Sequence, residues 1–225
     1  MQPFSIKIFL VMRFRYIAVD GPIGVGKTTL AGILSKLFDA RVVLEPVKSN
    51  PFLPLFYTDR KRYAFQTQVS FLIARYQQQK ELEQQDLFGK GIITDYFFAR
   101  DRIFAHINLS EDELSIYEKV YALLNPRVIK PDLVIYMQAD VDILLDRIGK
   151  RGVEYEKGID GQYLEELVKV YNDFFFYYNE TALLVVNTSE IDIENNEEDL
   201  TNLVKEIRRI KSGTHYYIPL GSRKK

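Results

Sequence analysis

Apolar and polar positions along the chain follow two alternating periods. Tyr16 to Asp20 (YIAVD), Arg41 to Glu45 (RVVLE), Gly91 to Asp95 (GIITD), Leu133 to Gln138 (LVIYMQ) and Leu183 to Asn187 (LLVVN) are short apolar runs of strand length. Between them, Lys27 to about Phe38, about Arg62 to Phe88, Asp142 to Lys150 and Leu200 to Ile210 carry apolar residues at helical spacing. Strands alternating with helices predict an α/β fold: a five-stranded parallel sheet with helices on both faces. Two stretches break the rhythm. Asn50 to Asp59 mixes two prolines with aromatic residues and reads as a loop or short turn. Lys150 to Asp160, charged and glycine-containing, reads as a loop between two helices.

The expected organisation is one domain over residues 13–212, a C-terminal tail at 213–225 and an extension at 1–12. Residues 4–12 (FSIKIFLVM) are apolar but too short to span a membrane, are broken by Lys7, and lack a small-residue cleavage site. Met12 is read as the natural start, with residues 1–11 upstream of it. A net charge of -1 gives no basic excess for nucleic acid. The lack of cysteine excludes disulfides, thiolate catalysis and Cys-ligated zinc, and fits a reducing, cytoplasmic setting. Two histidines argue against a His-rich metal site.

The strongest chemical signal is Gly21-Pro22-Ile23-Gly24-Val25-Gly26-Lys27-Thr28, followed by Thr29. It matches the P-loop pattern G-x-x-x-x-G-K-[ST], with a strand before it and a helix after it. Its glycines let the backbone curl so that N–H groups point at phosphate oxygens, and the helix N-terminus adds a favourable dipole. Lys27 is placed to reach the β- and γ-phosphates, and Thr28 to offer its hydroxyl to Mg²⁺. A P-loop three-layer sandwich is the expected fold.

Asp95 and Glu45 end apolar strands, where open α/β sheets bind their ligands. A carboxylate there takes a proton from a hydroxyl or holds Mg²⁺ through water; it also serves equally well as a helix cap. Gln66 and Gln68 lie in a mostly apolar helix, where a buried amide needs a partner and either can read a base edge, although surface-facing glutamines are commoner. Arg147 and Arg151, four residues apart, share a helix face suited to clamping phosphates, before a segment (147–160) that has the character of a lid. A plain basic helix C-terminus has the same spacing.

From about Phe14 to Ile210 the chain resembles the deoxynucleoside kinase family. The resemblance rests on GPIGVGKTTL at 21–30, LEP at 44–46, FYTDRKRYAFQTQ at 56–68, DYFFARDRIFA at 95–105, PDLVIYM at 131–137, RIGKRGVEYE at 147–156 and VNTSEID at 186–192. It implies attack of a nucleoside 5′-hydroxyl on the γ-phosphate of a triphosphate, with ATP and Mg²⁺. By resemblance, Asp95 is the general base and Glu45 a second acid near the hydroxyl. Tyr57 and Glu156 bind the sugar 3′-hydroxyl. Gln66 reads the base, with Gln68 as the alternative, and Asp101 is an acidic partner of the base. Arg147 and Arg151 are lid arginines. The family is usually dimeric through paired helices, which suits the apolar helix around Phe65 to Ile73.

Two positions depart from the family pattern. Tyr96 stands where an arginine commonly follows the catalytic acid, and Arg100 is a substitute only if its segment is helical. Val153 stands where a further lid arginine is common. The expectation is an ATP-dependent deoxyribonucleoside kinase acting on small molecules as a homodimer. A polar Arg75–Asp101 pair suits purines or cytosine better than thymine, so the expectation leans to purine deoxynucleosides. Two rivals stay open: a thymidylate-kinase-like monophosphate kinase, and a non-catalytic nucleotide-binding subunit that Tyr96 keeps alive.

Overall fold

A computed structural model describes residues 13–85 and 89–219, without the side chains of 84 and 85. The expected extension at 1–12 and the last residues of the tail, 220–225, lie outside the described residues. Among the described residues, six strands form one parallel sheet: β1 (Tyr16–Asp20), β2 (Arg41–Val43), β3 (Ile92–Thr94), β4 (Leu133–Gln138), β5 (Ala182–Asn187) and β6 (Thr214–Tyr217). Their spatial order is β2-β3-β1-β4-β5-β6, and every pairing is parallel. Every residue of β1 is buried. A strand buried on both sides needs helices on both faces, so its apolar run is continuous rather than alternating.

Among the described residues, eight α-helices connect and cover the strands: α1 (Lys27–Leu37), α2 (Leu53–Thr58), α3 (Arg60–Gln85), α4 (Arg100–Asn108), α5 (Glu111–Leu124), α6 (Val141–Arg151), α7 (Gly161–Tyr177) and α8 (Glu197–Arg209). The main core lies on the sheet, with Leu30 and Leu34 of α1, Leu144 of α6, Leu164 and Leu167 of α7 and Leu203 of α8 buried against it. A second cluster joins α3, α4 and α5 through Leu72, Ala105, Tyr117 and Tyr121. A third joins α2 to α3 through Leu53, Phe56, Ala64 and Phe71.

Three expectations are corrected. The sheet has a sixth strand, β6, where a tail was expected; it pairs with β5 from Leu183–Thr214 to Val186–Tyr217. Its residues are mostly exposed at an edge, so no hydrophobic run marks it. Residues 50–59 are not just a loop, because Leu53–Thr58 is helical. Pro54 falls in the first turn, where the missing N–H costs nothing. The segment after α6 contains a short 3₁₀ helix, Glu154–Gly158, entered through Gly152 at φ 68°.

The sheet is anchored at the base of β1 by Asp132. Its carboxylate accepts the N–H groups of Arg15 at 2.7 Å and Tyr16 at 2.9 Å, 117 and 116 residues away in sequence. Asp132→Ala leaves both donors without that charged partner. The expected cost is about 1–3 kcal/mol of unfolding free energy, read from urea denaturation.

Candidate functional site

At the carboxyl ends of β1, β2 and β3, beside the point where strand order reverses, lies a cavity of about 770 Å³. Open α/β sheets bind ligands at that position, and the volume is that of a small-molecule site.

One end is the P-loop. Residues 23–29 line it, and Gly21 and Pro22 stand behind, their carbonyl oxygens each accepting a hydrogen bond from Lys27 Nζ at 2.9 Å. The glycines are required by space as well as by torsion. At Gly24 (φ +84°) a Cβ would meet Ile148 Cγ1 at 2.8 Å and the Leu144 carbonyl at 2.9 Å, because α6 rests on the loop. At Gly21 (φ +149°) it would meet the Met137 carbonyl at 2.3 Å. Helix α1 follows Gly26 at its N-cap position, with no side-chain cap. Burial and the nearby Arg100 push the Lys27 ammonium down to about 8, against the opposing pull of Asp20, Glu45 and Asp95. Nearby phosphate oxygens favour the charged ammonium.

Arg147 and Arg151 of α6 both line this end. Arg147 is tied to the Val25 carbonyl at 3.2 Å and the Thr188 carbonyl at 2.8 Å. Arg151 pairs with Glu156 at 2.5 Å. Val153 caps the 3₁₀ helix beyond. Thr188 and residues 191–195, after β5, complete the wall. No role was assigned to them from sequence, although VNTSEID at 186–192 is one of the pieces that carry the resemblance.

Asp95 stands at the junction of the two ends. Its carboxylate accepts the Thr28 hydroxyl at 2.5 Å and the Glu45 N–H at 2.6 Å, so the phosphate cradle and the far wall meet on one side chain.

The far end is lined by Glu45, Tyr57, Gln68, Phe71, Arg75 and Arg100. Glu45 Oε1 accepts from Arg75 Nε at 2.9 Å and again from Arg75 Nη2. Its Oε2 lies 3.1 Å from Arg100 Nη1. Burial by itself would raise the Glu45 carboxyl, but the Arg100 and Arg75 guanidinium groups outweigh it and hold it at about 2. Arg75 Nη1 bonds Asp101, whose other oxygen takes the Tyr117 hydroxyl at 2.7 Å. The expected Arg75–Asp101 pair therefore forms, but Asp101 is fully buried behind Arg75 and is not among the wall residues. Tyr57 stacks on Tyr155, ring centres 5.6 Å apart, which brings the segment carrying Glu156 over the site.

The preference for Gln66 over Gln68 is corrected. Gln66 is exposed. Gln68 is buried on the wall, its Nε2 donating to the Asp101 carbonyl at 2.8 Å. Residues two apart on a helix point in nearly opposite directions, so only one of the two can face the cavity. Asp20, at the end of β1, was missed. It is fully buried, accepts the Gly21 N–H at 2.6 Å, the Phe97 N–H at 3.1 Å and the Tyr171 hydroxyl at 3.2 Å, and so ties the first P-loop residue to the segment after Asp95. Burial raises its carboxyl, partly offset by Arg100 and Lys27.

Tyr96 is fully buried and turned away, its hydroxyl 3.4 Å from Gln79 Nε2 of α3. Arg100 opens α4, so its segment is helical, and its side chain is on the cavity wall.

The comparisons agree with this architecture. The family model described as Deoxynucleoside kinase matches residues 17–211. The chain is 36% identical over 200 residues to a deoxyguanosine kinase of Bacillus subtilis, covering 87% of this chain and 97% of that protein. It is 31% identical over 202 residues to a deoxyadenosine/deoxycytidine kinase of the same organism, covering 86% and 92%. A structure of deoxyadenosine kinase from M. mycoides with the products dCMP and a flexible dCDP superposes with a TM-score of 0.73 at 28% identity, covering 87% of this chain and 100% of that one. Another structure of that enzyme, with bound dATP, gives 0.73 at 27%, covering 86% and 99%.

The Glu45 cluster carries a pH signature. Its carboxyl is depressed from 4.5 to about 2, so the stabilisation is full above about pH 4.5 and is lost as pH falls towards 2. About 2 kcal/mol disappears between about pH 6 and about pH 3 by linkage. Glu45→Gln lacks this increment, and urea midpoints at the two pH values fall less steeply in the variant than in the parent.

Proposed function

The chain belongs to the deoxynucleoside kinase family, and we propose that it transfers the γ-phosphoryl group of ATP to the 5′-hydroxyl of a purine deoxyribonucleoside. The observation that carries this reading is the position of Asp95, bonded to Thr28 of the phosphate cradle on one side and to the Glu45 backbone on the other. A carboxylate there can receive the proton of an acceptor hydroxyl held beside the γ-phosphate. Lys27 neutralises the β- and γ-phosphates, and Arg147 and Arg151 approach from α6. Tyr57 and Glu156 are proposed to hold the sugar 3′-hydroxyl, and Gln68 with Arg75 to read the base. A relative named for deoxyguanosine and a structural relative named for deoxyadenosine support the purine preference, while another is named for deoxycytidine as well as deoxyadenosine. Bound dATP in a structural relative supports a site for a nucleoside triphosphate.

Mg²⁺ fits the residues present. Among the described residues no group of three or more acidic or histidine side chains forms a protein-only metal cage. Thr28 and Asp95 instead offer a hydroxyl and a carboxylate side by side, matching an ion that takes one or two protein oxygens with phosphates and water. The ion would supply charge neutralisation on the triphosphate.

A cytoplasmic setting and a homodimer belong to the same proposal. The cysteine-free sequence supports the first; among the described residues no helix is long and apolar enough to cross a membrane. For the second, α3 and α5 pack together through Leu72, Tyr117 and Tyr121 while exposing Ile73 (45%), Ile116 (53%) and Leu123 (69%).

Three measurements test this. With ATP and Mg²⁺, the chain is expected to turn over deoxyadenosine or deoxyguanosine faster than thymidine, and to leave nucleoside monophosphates untouched; turnover of monophosphates alone refutes the assignment. Asp95→Asn should lower kcat by roughly 10²–10⁴-fold while nucleoside affinity by calorimetry stays near the parent value. Ile73→Glu with Leu123→Glu should convert the dimer to a monomer in sedimentation; an unchanged sedimentation coefficient at monomer mass in the parent removes the dimer.

A further inference from the structure

We propose that Arg100 is the acceptor-side catalytic cation of this chain, taking by way of helix α4 the place that Tyr96 has given up. The proposal deepens the kinase reading above and rests on it.

Tyr96, directly after Asp95, points into the α3 interface, where Gln79 Nε2 reaches its hydroxyl and that of Tyr16, at 3.4 and 3.2 Å. It presents nothing to the cavity. Arg100 follows four residues later at the first turn of α4 and is 6% exposed, that remainder facing the cavity.

Its surroundings explain why a buried guanidinium is stable there. Glu45 Oε2 lies 3.1 Å from Nη1 and Asp20 Oδ1 lies 3.7 Å from Nε, and the guanidinium carbon is 5.3 Å from the ring centre of Phe104. Yet neither Nε nor Nη1 has a hydrogen-bond partner with acceptable geometry among the described residues. The charge is balanced while the donors remain unspent.

Arg75 is the opposite case. Nε, Nη1 and Nη2 are all committed, two to Glu45 and one to Asp101. Of the two acceptor-side arginines, Arg75 has every nitrogen bonded to a carboxylate, whereas Arg100 has two nitrogens with no hydrogen-bond partner among the described residues. It also shares its surroundings with the reacting groups: Asp95 acts on both Arg100 and Lys27, and Arg100 depresses the Lys27 ammonium. Arg100, Lys27 and Asp95 all line the one cavity.

In the transfer, the nucleoside 5′-oxygen bonds to the γ-phosphorus. The bond from that phosphorus to the bridging oxygen breaks, ADP leaves, and the hydroxyl proton passes to Asp95. Negative charge spreads over the equatorial phosphoryl oxygens. Lys27 meets that charge from the donor side. Arg100 meets it from the acceptor side with the edge of its guanidinium that reaches the cavity wall, and is itself unchanged at the end.

The test compares Arg100→Met, Arg100→Lys and Tyr96→Phe in the full chain. Arg100→Met should lower kcat by roughly 10²–10³-fold, as loss of a preorganised donor does, with KM for nucleoside and ATP within about threefold of the parent. Binding of ADP–aluminium fluoride in the presence of deoxyguanosine should fall by a similar factor, while deoxyguanosine alone binds normally. A purely structural role would not separate those two affinities. Tyr96→Phe should keep parental kcat. If Arg100→Met does not fold, Arg100→Lys carries the test: it keeps the charge between Glu45 and Asp20 but not the guanidinium fork, and should lose about tenfold in kcat at unchanged melting temperature. Parental kcat in either Arg100 variant overturns the assignment alone. A parent chain without nucleoside-dependent ATP consumption overturns the kinase reading and this assignment with it.

Discussion

The site is organised around one costly fact: Glu45 is a buried carboxylate held between two buried guanidinium groups. An unpaired charge there would be prohibitive, and even a paired one must offset its lost hydration. The structure meets this by stringing opposite charges together, Asp101 to Arg75 to Glu45 to Arg100 to Asp20. The chain of charges dictates where secondary structure must lie. Asp20 comes from the end of β1, Glu45 from just past β2, Arg75 from the middle of α3, and Arg100 and Asp101 from the start of α4. Moving any of these elements would strand a charge, so the network acts as a register mark for the acceptor half of the cavity.

The donor half depends on shape more than on charge. Gly21 and Gly24 are pressed by Met137 and by α6, and Arg147 is bonded to backbone carbonyls on both sides of the cradle. The two halves share Asp95 and Asp20. Each touches both the P-loop and the acceptor side, Asp20 through the Gly21 and Phe97 N–H groups and Asp95 through Thr28 and Glu45. A shift in the cradle is thereby felt at the acceptor wall.

Much of this was legible in the chain. The strands at Tyr16–Asp20 and Leu133–Gln138 appear at the expected residues, because buried central strands are continuously apolar. The P-loop was readable since its chemistry is local. What escaped was set by tertiary context. Thr214–Tyr217 is a strand because β5 offers it an edge, not because of its own pattern. Pro54 looked like a breaker but occupies the one helical turn that accepts it. Gln66 and Gln68 differ only in the direction in which α3 turns them, and that direction comes from the packing of Leu72 and Phe71. Tyr96 looked like a lost function beside Asp95. Its orientation towards Gln79 is a property of the turn after β3, which no single residue type announces.

The bond between Arg151 and Glu156 joins the two ligand sites in one further respect. On the proposed reading, Arg151 is wanted by the donor phosphates and Glu156 by the acceptor sugar, so while either ligand is alone one partner of the pair is left over. A triphosphate that draws off Arg151 leaves Glu156 for a 3′-hydroxyl, and a sugar that takes Glu156 leaves Arg151 for phosphate. On that reading each ligand frees the residue that the other uses, and one ion pair is shared between two binding events.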